Sequence, residues 1–381
     1  MRVLVSPDCF TGTLSALEAA QAIATGWLQT RPEDEVKVLP VADGGPGFLD
    51  AITNAVGATR IPVVVSDPLG RQIPAEFAML EKRAWIESAM ACGTQLLDAD
   101  ELNPGMTTTY GVGQLIAAAV AAGAKQITIG VGGTATNDAG AGMWAALGAT
   151  AEGGSLANDD LQSKGASLNQ GGLALRKVSA IDFTPVLELL EGVELVLASD
   201  VDNPLLGGRG ATATFAKQKG ADEELVMRLE VSLREFSSMV GRRGDGKDAA
   251  VAIGAGSGGG LGYGLLHLGA RRVSGIEYVM QLVDLGGEIA QADLVLTGEG
   301  CLDDQSLHGK VVAGLAAAAA EIGKPCVALA GEVRLGKREC ASAGIDAAYS
   351  MKELFGPQAL SEPDASLQNL AARVARTWGL A

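Results

Sequence analysis

The segment Asp293–Gly300, with the sequence DLVLTGEG, carries the pattern that decides the fold of this chain. A short apolar run typical of a buried β-strand ends in a glycine-rich turn that contains an acid, Glu299. The same pattern opens the chain at Arg2–Asp8, and a capping box at Ser15–Glu18 then starts the next helix. The pattern returns at Gln126–Gly133. A strand, an acidic or glycine-rich tip and a helix form the unit of an open parallel sheet. We therefore predict an α/β protein.

Outward from that segment, the two ends of the 381-residue chain share the α/β pattern, whereas the middle differs. Residues 61–87 form short runs bounded by turn sequences, which indicates hairpins, and residues 152–176 predict an irregular loop. The length suggests two domains. We predict a discontinuous Rossmann-like or flavodoxin-like parallel-sheet domain from residues 1–62 and 288–381. Residues 63–287 would form an inserted mixed α/β domain.

Composition and charge exclude several classes of protein. The formal net charge is −16 and the chain has no concentrated basic patch, so a nucleic-acid partner is not expected. The five cysteines are scattered without a C-x-x-C pair, which is typical of a reducing compartment and argues against structural zinc. The longest charge-free apolar run, Val311–Ala320, is half the length of a membrane span. We predict a cytoplasmic protein with no membrane segment.

Two glycine motifs resemble nucleotide-binding signatures but depart from them. Gly241–Asp248 reads GRRGDGKD, which ends in Asp where a phosphate-binding loop needs Ser or Thr, and it follows a helical pattern. Gly254–Gly259 satisfies G-x-G-x-x-G after the strand-like run Ala249–Ile253, and Glu277 stands roughly where a ribose-binding acid would lie. A nicotinamide or flavin cofactor therefore stays open as an alternative.

Several further glycine-rich turns lie beside acids that follow predicted strands. Any one of these turns alone is an ordinary tight turn, but together they offer many backbone N–H groups for phosphate oxygens. The acids at strand tips are Asp8, Asp43, Asp138, Asp200 and Glu299. Carboxylates beside phosphate-binding turns are what a kinase that uses a Mg²⁺–nucleotide requires, together with a cation for the transferred phosphoryl group. Lys310 is the best candidate cation, with Arg71, Lys217 and Lys219 as secondary candidates.

At these residues the sequence resembles the bacterial glycerate kinase family. The matching blocks, in family order, are Pro7-Asp8, Leu14–Ala16, Ala42–Gly45, Asp67–Gly70, Thr107–Gly113, Gly132–Asp138, Ser199–Leu205, Gln218–Ala221, Gly254–Gly256, Ser274–Ile276, Thr297–Gly300, Asp303, Gln305-Ser306 and Gly309-Lys310. The resemblance implies two α/β domains with the active site in a cleft between them. It also implies ATP and Mg²⁺ as co-substrates and phosphoryl transfer to the 2-hydroxyl of glycerate, a small-molecule substrate. A homodimer is one assembly that the chain could form.

Together, the strand-tip chemistry and the resemblance give a set of predicted site residues. The catalytic residues are Asp43, Asp200 and Lys310, with Asp43 or Asp200 as the base that accepts the hydroxyl proton. The substrate-binding residues are Asp8, Arg71, Thr108, Asn137, Asp138 and Asn203. The cofactor-binding residues are Gly132, Gly133, Thr134, Gly256, Gly258, Gly298 and Ser306, and the Mg²⁺ ligands are Glu299 and Asp303.

The chain departs from the family pattern beside motif residues that it retains. Cys9 and Thr11 replace a Ser and a Lys, Pro46 stands where the family has an acid, Leu102 replaces an Arg, and Cys301 replaces a basic residue. Loss of cations beside a carboxylate substrate weakens its binding. Two hypotheses follow: an active kinase for glycerate or a related hydroxy acid, or a catalytically impaired paralogue that binds a nucleotide or metabolite.

Overall fold

The computed structural model describes residues 1–10, 12–42, 44–153, 167–307 and 311–378. It divides the chain into two compact units: unit 1 is Met1–Val56 with Ser274–Ala381, and unit 2 is Gly57–Val273. In the described residues the strands are β1 (Arg2–Val5), β2 (Glu35–Val38), β3 (Thr59–Ser66), β4 (Gln72–Leu80), β5 (Arg83–Glu87), β6 (Gln126–Gly130), β7 (Thr150–Gly153), β8 (Val178–Asp182), β9 (Glu194–Ala198), β10 (Arg271–Val273), β11 (Leu294–Thr297), β12 (Cys301–Leu302), β13 (Cys326–Ala330), β14 (Glu332–Val333) and β15 (Ala347–Ser350). The helices are α1 (Ala16–Thr30), α2 (Phe48–Val56), α3 (Ala89–Cys92), α4 (Tyr110–Ala121), α5 (Ala141–Ala146), α6 (Thr184–Leu189), α7 (Ala211–Phe215), α8 (Glu223–Val240), α9 (Ser257–His267), α10 (Gly275–Leu282), α11 (Leu285–Gln291), α12 (Val311–Glu321), α13 (Lys337–Ser342), α14 (Met351–Phe355) and α15 (Pro363–Trp378).

Unit 1 is built on a parallel five-stranded sheet in the order β15-β13-β11-β1-β2. Numbered by chain order within this sheet, the strands run 2-1-3-4-5, which is the flavodoxin-like order of a doubly wound sheet. Every residue of β11 and β13 is buried, because helices cover both faces of a parallel sheet. The apolar run Leu294–Thr297 is therefore a central strand of this sheet.

The first helix of unit 1 begins and packs as its sequence indicates. Ser15 Oγ accepts the N–H of Glu18 at 3.2 Å, and the Glu18 carboxylate accepts the N–H of Ser15 at 2.8 Å, so the predicted capping box is present. α1 lies against α15 so closely that a Cβ on Gly26 would come 2.0 Å from the carbonyl oxygen of Gln368. Gly26 therefore permits the close packing of these two helices.

Unit 2 is built on a six-stranded mixed sheet in the order β10-β9-β6-β5-β4-β3. β3, β4 and β5 are antiparallel neighbours, as the turn-bounded runs at 61–87 predict, whereas β5, β6, β9 and β10 are parallel. The carboxyl ends of the four parallel strands therefore share one edge of the sheet. Trp85 and Trp144 are fully buried in this unit.

Three expectations from the sequence differ from the structure or extend beyond it. Ala249–Ile253 is not a strand: Ala249–Val251 is a short 3-10 helix, so the G-x-G-x-x-G stretch does not follow a strand. The expected irregular loop at 152–176 includes the end of β7 and most of a 3-10 helix at Gly172–Lys177, and residues 154–166 lie outside the described part. The expected domain boundaries, 62 and 288, fall within β3 and α11.

No helix in the described part of the chain is long and apolar enough to cross a membrane.

Candidate functional site

The carboxyl ends of β1 and β11 carry two of the predicted acids on adjacent strands of unit 1. The N–H of Ser6 donates to the carbonyl of Leu296 and the N–H of Asp8 donates to that of Gly298, both at 2.8 Å, so pairing continues past the two strands. Asp8 and Glu299 follow directly. The connection from β1 leads to β2 on one side of the sheet, whereas β11 lies on the other side, which makes this pair the topological switch point. Open α/β sheets bind their ligands at that point.

The loop after β11 is held by its own backbone. A Cβ on Gly298 would lie 1.9 Å from the carbonyl oxygen of Leu329 in β13, so this glycine is required by packing between neighbouring strands. Ser306 is fully buried, and its hydroxyl accepts the N–H of Asp303 at 3.0 Å and donates to the carbonyl of Cys301 at 3.3 Å. Gly298 and Ser306, both predicted to bind a cofactor, therefore have structural roles that explain their identity. Asp303 itself is half-buried.

The donor set at this edge of unit 1 is compatible with Mg²⁺. The described residues include no group of three or more His, Cys, Asp or Glu side chains that could hold a metal ion by themselves. Mg²⁺ does not need such a cage, because it is usually held by one or two carboxylates and completed by phosphate oxygens and water. Glu299 is 5% exposed and Asp303 is half-buried, and both offer the hard oxygen ligands that Mg²⁺ takes.

In unit 2, Asp138 is a buried carboxylate that ties two loops together. It is fully buried and accepts the N–H and the hydroxyl of Thr109 at 2.8 and 2.9 Å, the N–H of Gly140 at 3.1 Å and that of Gly142 at 3.2 Å. Burial raises the pKa of Asp138 above its ordinary value, although these four hydrogen bonds oppose the shift. These contacts give Asp138 a structural role inside unit 2, and its predicted role in substrate binding stays a prediction.

Asn137 and Thr134, on the same loop after β6, are also engaged inside unit 2. Asn137 is fully buried, and its amide donates to the hydroxyl of Thr212 at 3.0 Å. Thr134 is buried, and its hydroxyl accepts a hydrogen bond from Lys219. Gly132 is half-buried and Gly133 is exposed with a φ of +65°, so these two glycines are the accessible part of the loop.

Lys219, which the sequence suggests only as a secondary cation, holds the loop after β6 through hydrogen bonds. Its ammonium donates to the carbonyl of Thr136 at 2.7 Å and to the hydroxyl of Thr134 at 3.1 Å, and the residue is 3% exposed. Burial lowers the pKa of Lys219 to about 8, and it raises the pKa of the neighbouring Cys92 thiol to about 12. Lys219 therefore supports the loop from inside unit 2.

Arg71 is also engaged by protein groups. Its guanidinium forms an ion pair with Asp67, donates to the Glu101 carboxylate at 2.6 Å and donates to the carbonyl of Leu96 at 3.2 Å. Because two carboxylates already bind Arg71, an anionic substrate would have to compete with them for the guanidinium. The prediction that it binds substrate finds no support in these contacts.

The loop after β9 and the glycine-rich start of α9 pack on each other. The side-chain amide of Asn203 donates to the carbonyl of Arg209 at 2.7 Å. The main-chain carbonyl of Asn203 accepts the N–H of Gly256 at 2.8 Å. A Cβ on Gly256 would lie 2.5 Å from the carbonyl oxygen of Pro204, and one on Gly258 would lie 2.6 Å from Val131 Cγ1. These glycines are required by packing, which explains the motif without a dinucleotide. Asp200, at the end of β9, is half-buried.

Unit 2 also contains a cavity of ≈ 670 Å³, lined by residues from segments 66–70, 106–110 and 169–174. Of the predicted site residues only Thr108 lines it. The signal that could have found it is that two family blocks, Asp67–Gly70 and Thr107–Gly113, supply half of its ten described lining residues. Asp43, Lys310 and Thr11 lie outside the described residues.

A parallel sheet in flavodoxin-like order, with acids at its switch point and a second mixed α/β unit, defines a doubly wound α/β protein. The model of the glycerate kinase family matches residues 3–379, and the chain belongs to that family. It is 41% identical over 354 residues to the glycerate kinase of Bacillus subtilis (92% of this chain, 90% of the relative). It is 37% identical over 359 residues to the glycerate 2-kinase of Escherichia coli K12 (93% of this chain, 92% of the relative). A crystal structure of a protein assigned as glycerate kinase 2 from Salmonella typhimurium LT2 superposes with a TM-score of 0.76 at 34% identity, covering 100% of this chain and 98% of that one.

Proposed function

We propose that the protein is an ATP- and Mg²⁺-dependent kinase that phosphorylates the 2-hydroxyl of glycerate. The observation that carries the proposal is the match to glycerate kinases along nearly the whole chain, which includes a relative named glycerate 2-kinase. The acids at the switch point of unit 1 supply the oxygen ligands that a Mg²⁺–nucleotide needs.

The described residues support a division of roles among the acids. Glu299 and Asp303 would hold Mg²⁺, which neutralises charge on the phosphates when it is bound. Burial of the Asp138 carboxylate and the four hydrogen bonds that it accepts argue against Asp138 as the base. Of the two acids suggested by the sequence, Asp43 lies outside the described residues, whereas Asp200 is half-buried at the carboxyl end of a parallel strand. We propose Asp200 as the group that accepts the proton of the substrate hydroxyl.

The activity is tested by measuring ADP release with Mg²⁺-ATP and D-glycerate or a panel of small hydroxy acids, with the product identified by phosphorus and carbon NMR. Loss of a general base typically reduces the rate by about 10²–10⁴-fold, so Asp200→Asn should lower kcat at least a hundredfold. Asp202→Asn is the matched control, because Asp202 lies on the same loop, is exposed and pairs with Arg272. A rate for Asp200→Asn within tenfold of the wild type would remove Asp200 from this role.

One observation favours the second hypothesis, a catalytically impaired paralogue. Cys9 and Cys301, which stand at family-divergent positions, are half-buried beside the two strand-tip acids of unit 1. Burial raises the pKa of the Cys301 thiol, so it is uncharged at neutral pH where the family pattern has a basic residue. Absence of turnover with every acceptor, together with a higher melting temperature in Mg²⁺-ATP, would favour a binding protein over a kinase.

A further inference from the structure

The cavity of ≈ 670 Å³ in unit 2 has the size of a ligand pocket, and the described part of its lining carries no charge. None of its ten described lining residues is acidic or basic. Hydroxyl groups come from Ser66, Thr108 and Tyr110, and side-chain amides come from Asn169 and Gln170. Such groups offer both donors and acceptors to a neutral polar ligand.

Two large apolar side chains of the lining are exposed. Leu69 is 41% exposed and Met106 is 45% exposed, although they lie on different loops that meet at this cavity. Single exposed apolar residues are common on protein surfaces, but two that share a cavity with an aromatic ring form a surface suited to the face of a flat apolar group. Tyr110 supplies that ring.

The described lining of the cavity offers no cationic side chain to a small anion. A carboxylate or phosphate needs a charged or strongly donating partner when it leaves water. The cation adjacent in sequence to the lining is Arg71, whose guanidinium is already bound by Asp67 and Glu101. Glycerate and the triphosphate of a nucleotide therefore both fit this cavity poorly, whereas an uncharged ring with polar edges fits it well.

We propose that this pocket binds the adenine base of the nucleotide, with the ring against Leu69, Met106 and Tyr110 and its polar edge toward the amides and hydroxyls. The proposal rests on the proposed function only in naming the nucleotide as ATP. It assigns to unit 2 a base-binding role, and Thr108, which the sequence predicts to bind substrate, is the one predicted site residue in the described lining.

The probe is adenosine, which carries the base and ribose without phosphate, and its binding is measured by calorimetry or ligand-observed NMR. Leu69→Glu places a carboxylate at the pocket on an already exposed position, and Leu187→Glu is the matched control because Leu187 is 60% exposed on α6 of the same unit. We expect wild type and the Leu187 variant to bind adenosine equally and the Leu69 variant at least tenfold more weakly. Met106→Glu, on the other loop, should reproduce the loss. Melting temperatures verify that each variant is folded.

Kinetics with Mg²⁺-ATP and glycerate separate the two proposals. The pocket variants should raise the KM for ATP at least tenfold with little change in the KM for glycerate. Adenosine that fails to bind the wild type, or that binds the folded Leu69 and Met106 variants unchanged, overturns the pocket assignment whether or not the protein is a kinase. A rise in the KM for glycerate alone also overturns it. Adenosine binding that is lost in both variants, without any phosphoryl transfer by the wild type, would instead sustain the pocket and contradict the kinase.

Discussion

Replacing Lys219 with Met removes the buried ammonium that holds the loop after β6. The side chain donates to Thr136 at 2.7 Å and to Thr134 at 3.1 Å and is 3% exposed. Methionine has a similar length and no donor, so two buried oxygens lose their partner. Leaving buried acceptors unsatisfied costs about 1–3 kcal/mol of stability.

The pH dependence of the stability loss tests the buried ammonium more specifically than the size of the loss does. Burial lowers the pKa of Lys219 from 10.5 to about 8 in the folded protein. Between these two pH values the unfolded chain binds more protons than the folded one, so the free energy of unfolding rises with pH. The contribution from Lys219 amounts to about 3 kcal/mol. It is fully present above the unfolded pKa and is lost as the pH falls through the folded pKa.

The assay is urea unfolding of wild type and Lys219→Met at pH values from about 7.5 to 10.5. Other titrating groups are common to both proteins, and the coupled Cys92 thiol has a pKa of about 12, above this window, so the difference between their free energies of unfolding reports mainly Lys219. That difference should grow in favour of the wild type by about 3 kcal/mol across the window. Lys217→Met is the control, because Lys217 is 58% exposed and pairs with Glu223. Parallel curves for wild type and Lys219→Met would refute the depressed pKa and with it the buried-ammonium reasoning.

Two further predictions concern the strand-tip acid of unit 1 and the glycine turn of unit 2. Glu299→Gln should raise the Mg²⁺ concentration needed for half-maximal activity at least tenfold, whereas the exposed Asp304→Asn on the same loop should not; an unchanged Mg²⁺ requirement would remove Glu299 from the metal site. Gly259→Ala places a Cβ 1.8 Å from the carbonyl oxygen of Thr136, so it should lower the free energy of unfolding by more than about 3 kcal/mol. Gly207→Ala shares a positive φ but has open space, so about 1 kcal/mol is expected in the same denaturation experiment; equal losses would show that backbone strain alone decides both.

Much of unit 1 could be predicted from the sequence because its signals are local. The strand at Leu294–Thr297 is a short apolar run followed at once by Gly298 and Glu299, and the capping box needs only Ser15 and Glu18. Parallel strands bring their carboxyl ends to one edge, so the proximity of Asp8 and Glu299 follows once the sheet is predicted. No side-chain contact had to be known for that step.

The sequence is less informative where a distant segment decides the contacts of a residue. The sequence places Asp138 after a predicted strand, but it does not show that the donors of Thr109, 29 residues earlier, draw the carboxylate inward. The turn at Gly258 and Gly259 has the spacing of a dinucleotide motif, yet these glycines are required because Val131 and Thr136 pack directly on them. Glycine identity in a sequence does not distinguish contact with a ligand from contact with the chain itself.

The cations of unit 2 bear on how the proposed reaction handles charge in a protein with a net charge of −16. Arg71 is paired with Asp67 and Glu101, Lys217 with Glu223, and Lys219 is committed to oxygens of its own loop. Releasing any of them for a phosphate would leave its present partner unsatisfied, which costs more than the new contact would gain unless that partner is solvated. Of the three, only Lys217 meets that condition, because its partner Glu223 is 78% exposed. On the proposed function, the phosphate charge therefore falls to Mg²⁺ held by carboxylates, to backbone N–H groups and to Lys310, the predicted cation that lies outside the described residues, so activity should depend steeply on Mg²⁺ and only weakly on Lys217.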